Sequence, residues 1–408
     1  MKQIYQYIDR KQKDIIEFTK KIVSIPTINP PGENYCRCVT VIEKQCRLIG
    51  LKCKRIITPK KILKKYNINL AYPRISLLAH WQLNKDKTVH FNGHYDIVPA
   101  TAHWKTLPFR PEIKQGKLYG RGTEDMKATI ASMLLAVEAV AKTNNRPKVN
   151  VQFSFVPDEE IGGMTGIKYL VQRNLIKADF AVGEGAAEKY FSCGNKGMLW
   201  FEVTVLGRSA HAAEPDKGIN SFEKMVKVVN ALFSFKNKTC KKKTRFNTEA
   251  QSDRFATMVI GGKIWGGDKI NIVPDNSSFT IDRRILPEED IYEVKDKIIK
   301  TMQDLAKDDP EIKLKIKVSA FDAPVSCPQN NKLFKIFSAA IEEVYFQKAC
   351  SIILCGGTDL RFLMRKNIPA VGYSVKGMHR AHSDNEFVYI KSITDTAKVF
   401  AYVLMNLE

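Results

Sequence analysis

Three times along this chain an apolar, strand-like run ends in a histidine or a carboxylate, and this pattern restricts the fold more than any other feature. Thr88–Asn92 runs into Gly93-His94-Tyr95-Asp96. Val149–Val156 runs into Pro157-Asp158-Glu159-Glu160-Ile161-Gly162-Gly163, and Ala181-Val182-Gly183 into Glu184-Gly185. Helical stretches lie between them, notably the long apolar segment Met126–Thr143. Alternating strands and helices argue for an α/β domain with a largely parallel sheet. In open α/β sheets ligands bind outside the carboxyl ends of the strands, so the residues at these ends are the first candidates for a site.

The rest of the chain reads around that core. Ile8, Ile15, Ile16, Phe18, Ile22 and Val23 among Lys and Gln predict an amphipathic helix over 8–23 that stops before Pro26. Pro30-Pro31-Gly32 marks a loop, 34–49 a helix ended by Gly50, and Ile75–Trp81 a buried strand. From about residue 197 the texture changes. Leu199–Leu206 alternates like a half-exposed strand, 219–234 and 288–307 read as helices, and Thr257–Gly261, Ser277–Arg283 and Ile312–Val318 as strands. Two helices with four antiparallel-looking strands predict a ferredoxin-like α+β insertion. After Pro328 the helix, strand and helix pattern resumes. The expected organisation is therefore a first domain built from 1–196 and 320–408, interrupted by an inserted domain over 197–319.

Composition narrows the function classes. With 44% hydrophobic and 26% charged residues in 408, the chain is that of a folded protein rather than a disordered one. No apolar run approaches the roughly 20 residues needed to span a bilayer, and the first residues lack a signal peptide's apolar stretch, so a cytoplasmic protein without membrane contact is expected. Nine cysteines with no Cys-x-x-Cys pair read as reduced, mostly buried thiols. The net charge of +22 raises nucleic-acid binding, but Lys and Arg are spread out, and the densest run, Lys54-Arg55 to Lys64-Lys65, reads as a solvated face. Nucleic acid is not an expected partner. A positive field would steer anionic substrates toward a cleft.

Taken singly, each motif has an ordinary reading. Side chains two apart on an extended segment share a side, so Asp96 can accept a hydrogen bond from the His94 ring and leave its other nitrogen for a metal. A lone His-x-Asp is equally a loop histidine. In Tyr119-Gly120-Arg121-Gly122-Thr123-Glu124-Asp125-Met126-Lys127 the glycines allow a tight bend, and Asp125 could be shared by two cations or simply cap the helix. Three successive acids at Asp158-Glu159-Glu160 would repel without a cation or a shared proton. Glu184 alone would pass for a turn residue. His379-Arg380-Ala381-His382-Ser383-Asp384-Asn385-Glu386 offers two histidines, either of which could bind metal.

In their order and spacing these segments resemble the M20 family of metallopeptidases and deacylases, in particular its branch of acetylornithine deacetylases and succinyl-diaminopimelate desuccinylases. The resemblance spans essentially the whole chain and includes Ser24-Ile25-Pro26-Thr27, Asn29-Pro30-Pro31-Gly32, Gly356-Gly357-Thr358-Asp359 and Arg361-Phe362. It implies a zinc-peptidase-like α/β/α catalytic domain with an inserted lid that dimerises, hence a homodimer. It also implies two zinc ions per subunit, replaceable by cobalt or manganese. His94 and Glu184 would complete one metal, Glu160 and His382 the other, and Asp125 would bridge them. Asp96 would be the partner of the His94 ring, and Glu159 the general base. His211, in Gly207-Arg208-Ser209-Ala210-His211, resembles a histidine that stabilises the oxyanion in the partner subunit's site. Asn271, Arg284, Gly357 and Thr358 resemble contacts to the substrate, Arg284 by a bidentate grip on a carboxylate. Two Zn²⁺, three carboxylates and one bridging hydroxide sum to a neutral core that can be partly buried.

The sequence departs from the family's usual pattern at Ala128, where glycine is common, and at Gly185, where the branch often has proline. Neither removes a ligand. The expected activity is removal of an N-acyl group from a small anionic amino-acid substrate, with N-succinyl-diaminopimelate ranked first and N-acetylornithine second. A dipeptidase or carboxypeptidase of the same family is the alternative. A catalytically silent binding protein of the family is the reading outside that class, and a lost ligand or base would mark it. None is lost.

Overall fold

A computed structural model describes residues 1–377 and 381–408. The chain divides into two compact units, one of Met1–Gly194, Cys327–Ile352 and Thr358–Glu408, the other of Asn195–Ser326 and Ile353–Gly357.

In the first unit, seven strands of the main sheet run in the order Lys52–Ile57, Ile75–Trp81, Asn150–Val156, Thr88–His94, Phe180–Ala186, Ala370–Tyr373 and Tyr190–Asn195. The middle four pair parallel, as the alternation of strands and helices predicts. The flanks do not. Lys52–Ile57 and Ile75–Trp81 pair antiparallel with each other and with the centre, and Tyr190–Asn195 also joins antiparallel. The sheet is therefore mixed, with its parallel part confined to the centre, where helices cover both faces and long apolar runs such as Phe153-Ser154-Phe155 lie buried.

Twelve of the fifteen residues of helix Ala128–Lys142 are buried, which explains its apolar character all round. Alternation along Thr88–His94 sends Phe91 to the face where it meets Phe153 and Phe400 of helix Ile390–Asn406, with ring centroids at 5.2 and 5.6 Å. Asn92 points to the other face, toward Asp359 beside helix Leu360–Met364. The predicted helix over 8–23 is two, Lys2–Arg10 and Gln12–Val23, both burying isoleucines on one side. A separate three-stranded sheet of Phe387–Tyr389, Lys117–Tyr119 and Glu112–Lys114 was not legible, because its strands are too short to carry a period.

In the second unit the strands Gly197–Leu206, Thr257–Gly266, Asn276–Ile285 and Lys313–Asp322 alternate with helices Ser221–Thr239 and Ile291–Asp308 as βαββαβ. All pairs are antiparallel, and numbering the four strands within the unit gives the order 4-1-3-2. The inward residues Leu199, Phe201, Val203 and Val205 pack with Val228, Leu232, Ile298 and Met302 from the two helices. Each helix starts on a side-chain cap, Asn220 and Asp290, that accepts two of its otherwise unpaired N–H groups.

All nine cysteines are free, and four of them are buried. Among the described residues no helix is long and apolar enough to cross a membrane.

Gly185 has a packing reason. A Cβ there would sit 2.1 Å from the main chain of Gly372 on the neighbouring strand, and the Gly185 N–H donates to Ser374 Oγ at 3.0 Å. Proline would lose that donor as well as clash. We expect Gly185→Ala to force the two strands apart and cost about 1–3 kcal/mol or more of overpacking strain, read from urea denaturation; an unchanged midpoint would mean the strands already have room.

Candidate active site

Adjacent parallel strands deliver four polar residues to one rim of the first unit. Thr88–His94 ends on His94 itself. Its neighbour Asn150–Val156, registered with His94 opposite Val156, leads through Pro157 and Asp158 into the single turn Glu159–Ile161. Phe180–Ala186 carries Glu184 near its end. Two more come from outside the sheet. Asp125 lies in the turn Thr123–Lys127 ahead of helix Ala128–Lys142, and His382 in the loop before strand Phe387–Tyr389.

These side chains converge. His94 Nε2 lies 2.8 Å from Asp125 Oδ1 and 3.9 Å from Glu184 Oε2. His382 Nε2 lies 3.2 Å from Asp125 Oδ2 and 3.0 Å from Glu160 Oε2. Asp125 thus turns one oxygen toward each histidine, with Glu184 on the His94 side and Glu160 on the His382 side. The ligand-type atoms of His94, Asp125 and Glu160 all lie within 4.8 Å of one another, as do those of His94, Glu159 and Glu184. His379 lies outside the described residues.

Electrostatics show what such a cluster demands. Burial pushes the Glu159 carboxyl up to about 7, with Glu160 and Asp125 adding to the rise against His94 and Arg361. Burial and then Asp125 raise Glu160, and lift Glu184 well above the usual carboxylate range. Asp125 moves the other way, because the two histidines outweigh its burial. Hydrogen bonds to Asp125 and Glu160 push His382 up to about 10. His94 is raised well above its ordinary value although burial opposes its charge, because Asp125 and Asp96 win. Among the described residues the imidazoles of His94 and His382 and the Arg361 guanidinium face these acids, and a divalent cation would supply more positive charge. Glu184 Oε2 points the same way: it is buried and accepts no hydrogen bond among the described residues, which is costly unless a cation or a proton satisfies it. Carboxylate oxygens and imidazole nitrogens form a donor set suited to zinc, and also to manganese or cobalt.

The three successive acids have separate jobs. Asp158 adopts the left-handed φ of +67° and turns inward, away from the cluster. Arg74 Nε donates to both of its oxygens at 3.0 and 2.9 Å, and Tyr35 Oη and Asn29 Nδ2 each donate to Oδ1 at 3.0 Å. Repulsion at this strand end is thus relieved at Asp158 by a buried arginine, not by a metal. Asp96 has two jobs. Its carboxylate pairs with the His94 ring, 3.5 Å from Nδ1, and its main-chain oxygen faces the same nitrogen at 3.1 Å. The carboxylate also holds the next turn. It accepts Asn29 Nδ2 at 2.9 Å and the N–H groups of Glu159 and Glu160 at 3.2 and 3.3 Å, so it clamps the turn that presents them.

Several supporting residues had no role that the sequence could assign. Arg361 donates to the carbonyls of Thr358 and Gly162 at 2.6 and 2.7 Å and stands 3.8 Å from Glu159. Thr358 itself is buried in the first unit. Arg121 and Glu386 sit inside the motifs already quoted, yet nothing in their spacing says that they pair. Arg74 is isolated among apolar and loop residues, where only the fold reveals its partner.

The other sequence-predicted contacts belong to the second unit and are described within it. His211 is exposed, its Nδ1 accepts the Ala213 N–H at 3.0 Å, and its main chain bridges Ile272, while Ala212 N–H donates to Asn271 O at 3.0 Å. His211 and Asn271 are therefore brought side by side. Arg284 Nε and Nη2 grip Asp282 two residues back, at 3.0 and 3.1 Å. A substrate carboxylate would compete with that aspartate. Gly357 is exposed in this unit.

Comparison with known proteins places the chain in a family and a fold. The family model described as "Peptidase family M20/M25/M40" matches residues 90–406. Aminoacylase-1A of Rattus norvegicus is 28% identical over 358 residues, 84% of this chain and 83% of its own. A succinyl-diaminopimelate desuccinylase of Buchnera aphidicola is 35% identical over 219 residues, but only 51% of this chain and 53% of its own. Among solved structures, an M20 family metallo-carboxypeptidase from Sulfolobus solfataricus superimposes with a TM-score of 0.78 at 21% identity, covering 96% of this chain and 98% of its own.

Arg74→Met should remove the cation from a pair whose side chains are both 1% exposed, leaving Asp158 buried and unpaired. We expect a loss of about 3–5 kcal/mol in urea denaturation, the usual result of breaking a buried pair from one side. A loss under about 1 kcal/mol would mean that Asn29, Tyr35 and Thr165, whose hydroxyl also donates to Asp158, suffice.

Proposed function

The chain belongs to peptidase family M20/M25/M40, metal-dependent hydrolases of amide bonds, and from that premise we propose that it removes the acyl group from a small N-acylated amino acid at a two-zinc site. The observation that carries the reading is the convergence of two imidazoles and three carboxylates on the rim of the sheet's parallel centre, with Glu159 beside them. In it, His94 and Glu184 would hold one cation, Glu160 and His382 the other, and Asp125 would serve both. The bound cations would polarise the scissile carbonyl and lower the pKa of the attacking water.

The chain's own residues do the rest. Glu159 takes a proton from the water and passes it to the leaving amine. Arg361 and the Asp96 clamp hold the Glu159 turn in place. His211 would stabilise the oxyanion, and Asn271, Arg284, Gly357 and Thr358 the substrate's far end, Arg284 by exchanging Asp282 for the substrate carboxylate. A homodimer accompanies this role for His211. It is supported by Phe222, Val226 and Phe233, which lie exposed along helix Ser221–Thr239, and by Thr257–Gly266, an edge strand of its sheet.

The substrate ranking shifts from the one that the motifs alone suggest. The relative named for succinyl-diaminopimelate matches half of the chain, whereas aminoacylase-1A matches most of it. N-acetyl and related N-acyl amino acids therefore come first, N-succinyl-diaminopimelate second and dipeptides third.

An amine-release screen of zinc-loaded protein against these three groups tests the reading. Turnover of N-acyl amino acids with loss on chelation and recovery on adding zinc is expected; release from dipeptides alone, or from none, would overturn it. Glu159→Gln should keep both zincs while turnover falls by about two to four orders of magnitude, and near-normal turnover would remove Glu159 from its role. Light scattering should report a dimer that Phe222→Glu with Phe233→Glu converts to a monomer; a monomeric parent protein would exclude the shared His211.

A further inference from the structure

We propose that the buried Arg121–Glu386 ion pair is a positioning device that ties the Asp125 turn to the His382 loop and so sets the affinity of the site for its second cation. This rests on the reading of Asp125 and His382 as metal ligands.

The need for such a device follows from where the ligands come from. His94 and Glu184 sit on strands of the sheet, and Glu160 lies in the turn after a third, where its N–H donates to Asp96, so the sheet and that clamp place all three. Asp125 and His382 lie outside the sheet. His382 is also 54% exposed, so its own packing does not hold it.

The pair joins these two segments reciprocally. Glu386, four residues after His382, grips the Asp125 turn: Oε2 accepts Gly122 N–H at 3.1 Å, and Oε1 accepts Glu124 and Asp125 N–H at 2.8 and 3.3 Å. Its carbonyl also accepts Gly120 N–H at 3.0 Å. Arg121, four residues before Asp125, grips the His382 loop: Nη1 donates to Ser383 O at 3.1 Å and Nη2 to His382 O at 3.4 Å. The guanidinium and carboxylate meet at 2.8 Å with both side chains 1% exposed, and Trp104 lies 5.1 Å from the guanidinium. Each ligand segment thus supplies the charge that holds the other's backbone.

Stability alone is a poor reason for such a pair. Burying two charges costs about what their attraction returns, and apolar replacements are often neutral or better. Positioning is a better reason, because metal–ligand distances tolerate only about 0.2 Å, and groups that orient ligands from behind typically change affinity 10–100-fold when altered.

The experiment measures zinc stoichiometry and both dissociation constants by competition with a chromogenic chelator, with the melting temperature of the chelated protein alongside. Glu386→Gln keeps the shape and an acceptor oxygen but loses the charge. It should weaken one of two zinc constants about 10–100-fold and leave the other within about threefold. The control is Glu289→Gln, which breaks the Arg283–Glu289 pair of the second unit, likewise buried and 2.9 Å long. It should lower the melting temperature without moving either zinc constant. If Glu386→Gln moves the zinc constants no more than Glu289→Gln does, the inference is overturned. Should Glu386→Gln not fold, Arg121→Lys, which keeps the charge but loses the reach to two carbonyls, carries the same comparison with the same two outcomes. His382→Ala separates the underlying reading: if it binds as much zinc as the parent, the ligand assignment fails, whatever Glu386 does.

Discussion

Carboxylates crowd the rim of this sheet because its parallel centre aligns the ends of neighbouring strands, and a parallel ladder leaves those ends little freedom to move apart. His94, Glu160 and Glu184 arrive on or just beyond the strands, Asp125 joins them, and Glu159 and Asp96 stand directly behind. Like charge at this density is tolerable only where positive charge or a hydrogen bond meets each oxygen. Much of the surrounding structure serves that requirement.

Two answers coexist. At the centre the imidazoles of His94 and His382 face the acids, both drawn toward their charged forms, and the buried Glu184 oxygen, without a hydrogen bond among the described residues, asks for more. Around it, buried arginines meet the neighbouring acids: Arg74 takes Asp158, Arg121 takes Glu386, and Arg361 stands near Glu159. The division separates acids available to a cation from acids that shape the backbone presenting them. A chain with 65 basic and 43 acidic residues places three of its least exposed arginines where local charge is negative.

How much of this was legible depends on the range of the interaction. Strand runs ending in His94, Glu160 and Glu184 could be read locally, since a strand declares itself by its apolar run and the next residue lies at its end. The antiparallel flanks and the three-stranded sheet could not, because pairing direction is a relation between distant segments. Asp96 is instructive. Its place beside the His94 ring followed from their spacing, but that the same carboxylate accepts from Asn29 and from the Glu159–Glu160 amides did not, because they lie 67, 63 and 64 positions away.

The order of motifs was by itself enough to determine the fold class and the family and to name candidate ligands, because these follow from local patterning and from residue chemistry. Only the tertiary structure decided which acid faces which base. Asp158, Glu159 and Glu160 are consecutive and chemically alike, yet one is locked to Arg74, one stands beside Arg361 and one meets His382. The physical reason is that a carboxylate's role is set by the charge and burial around it, and those are supplied by segments far along the chain.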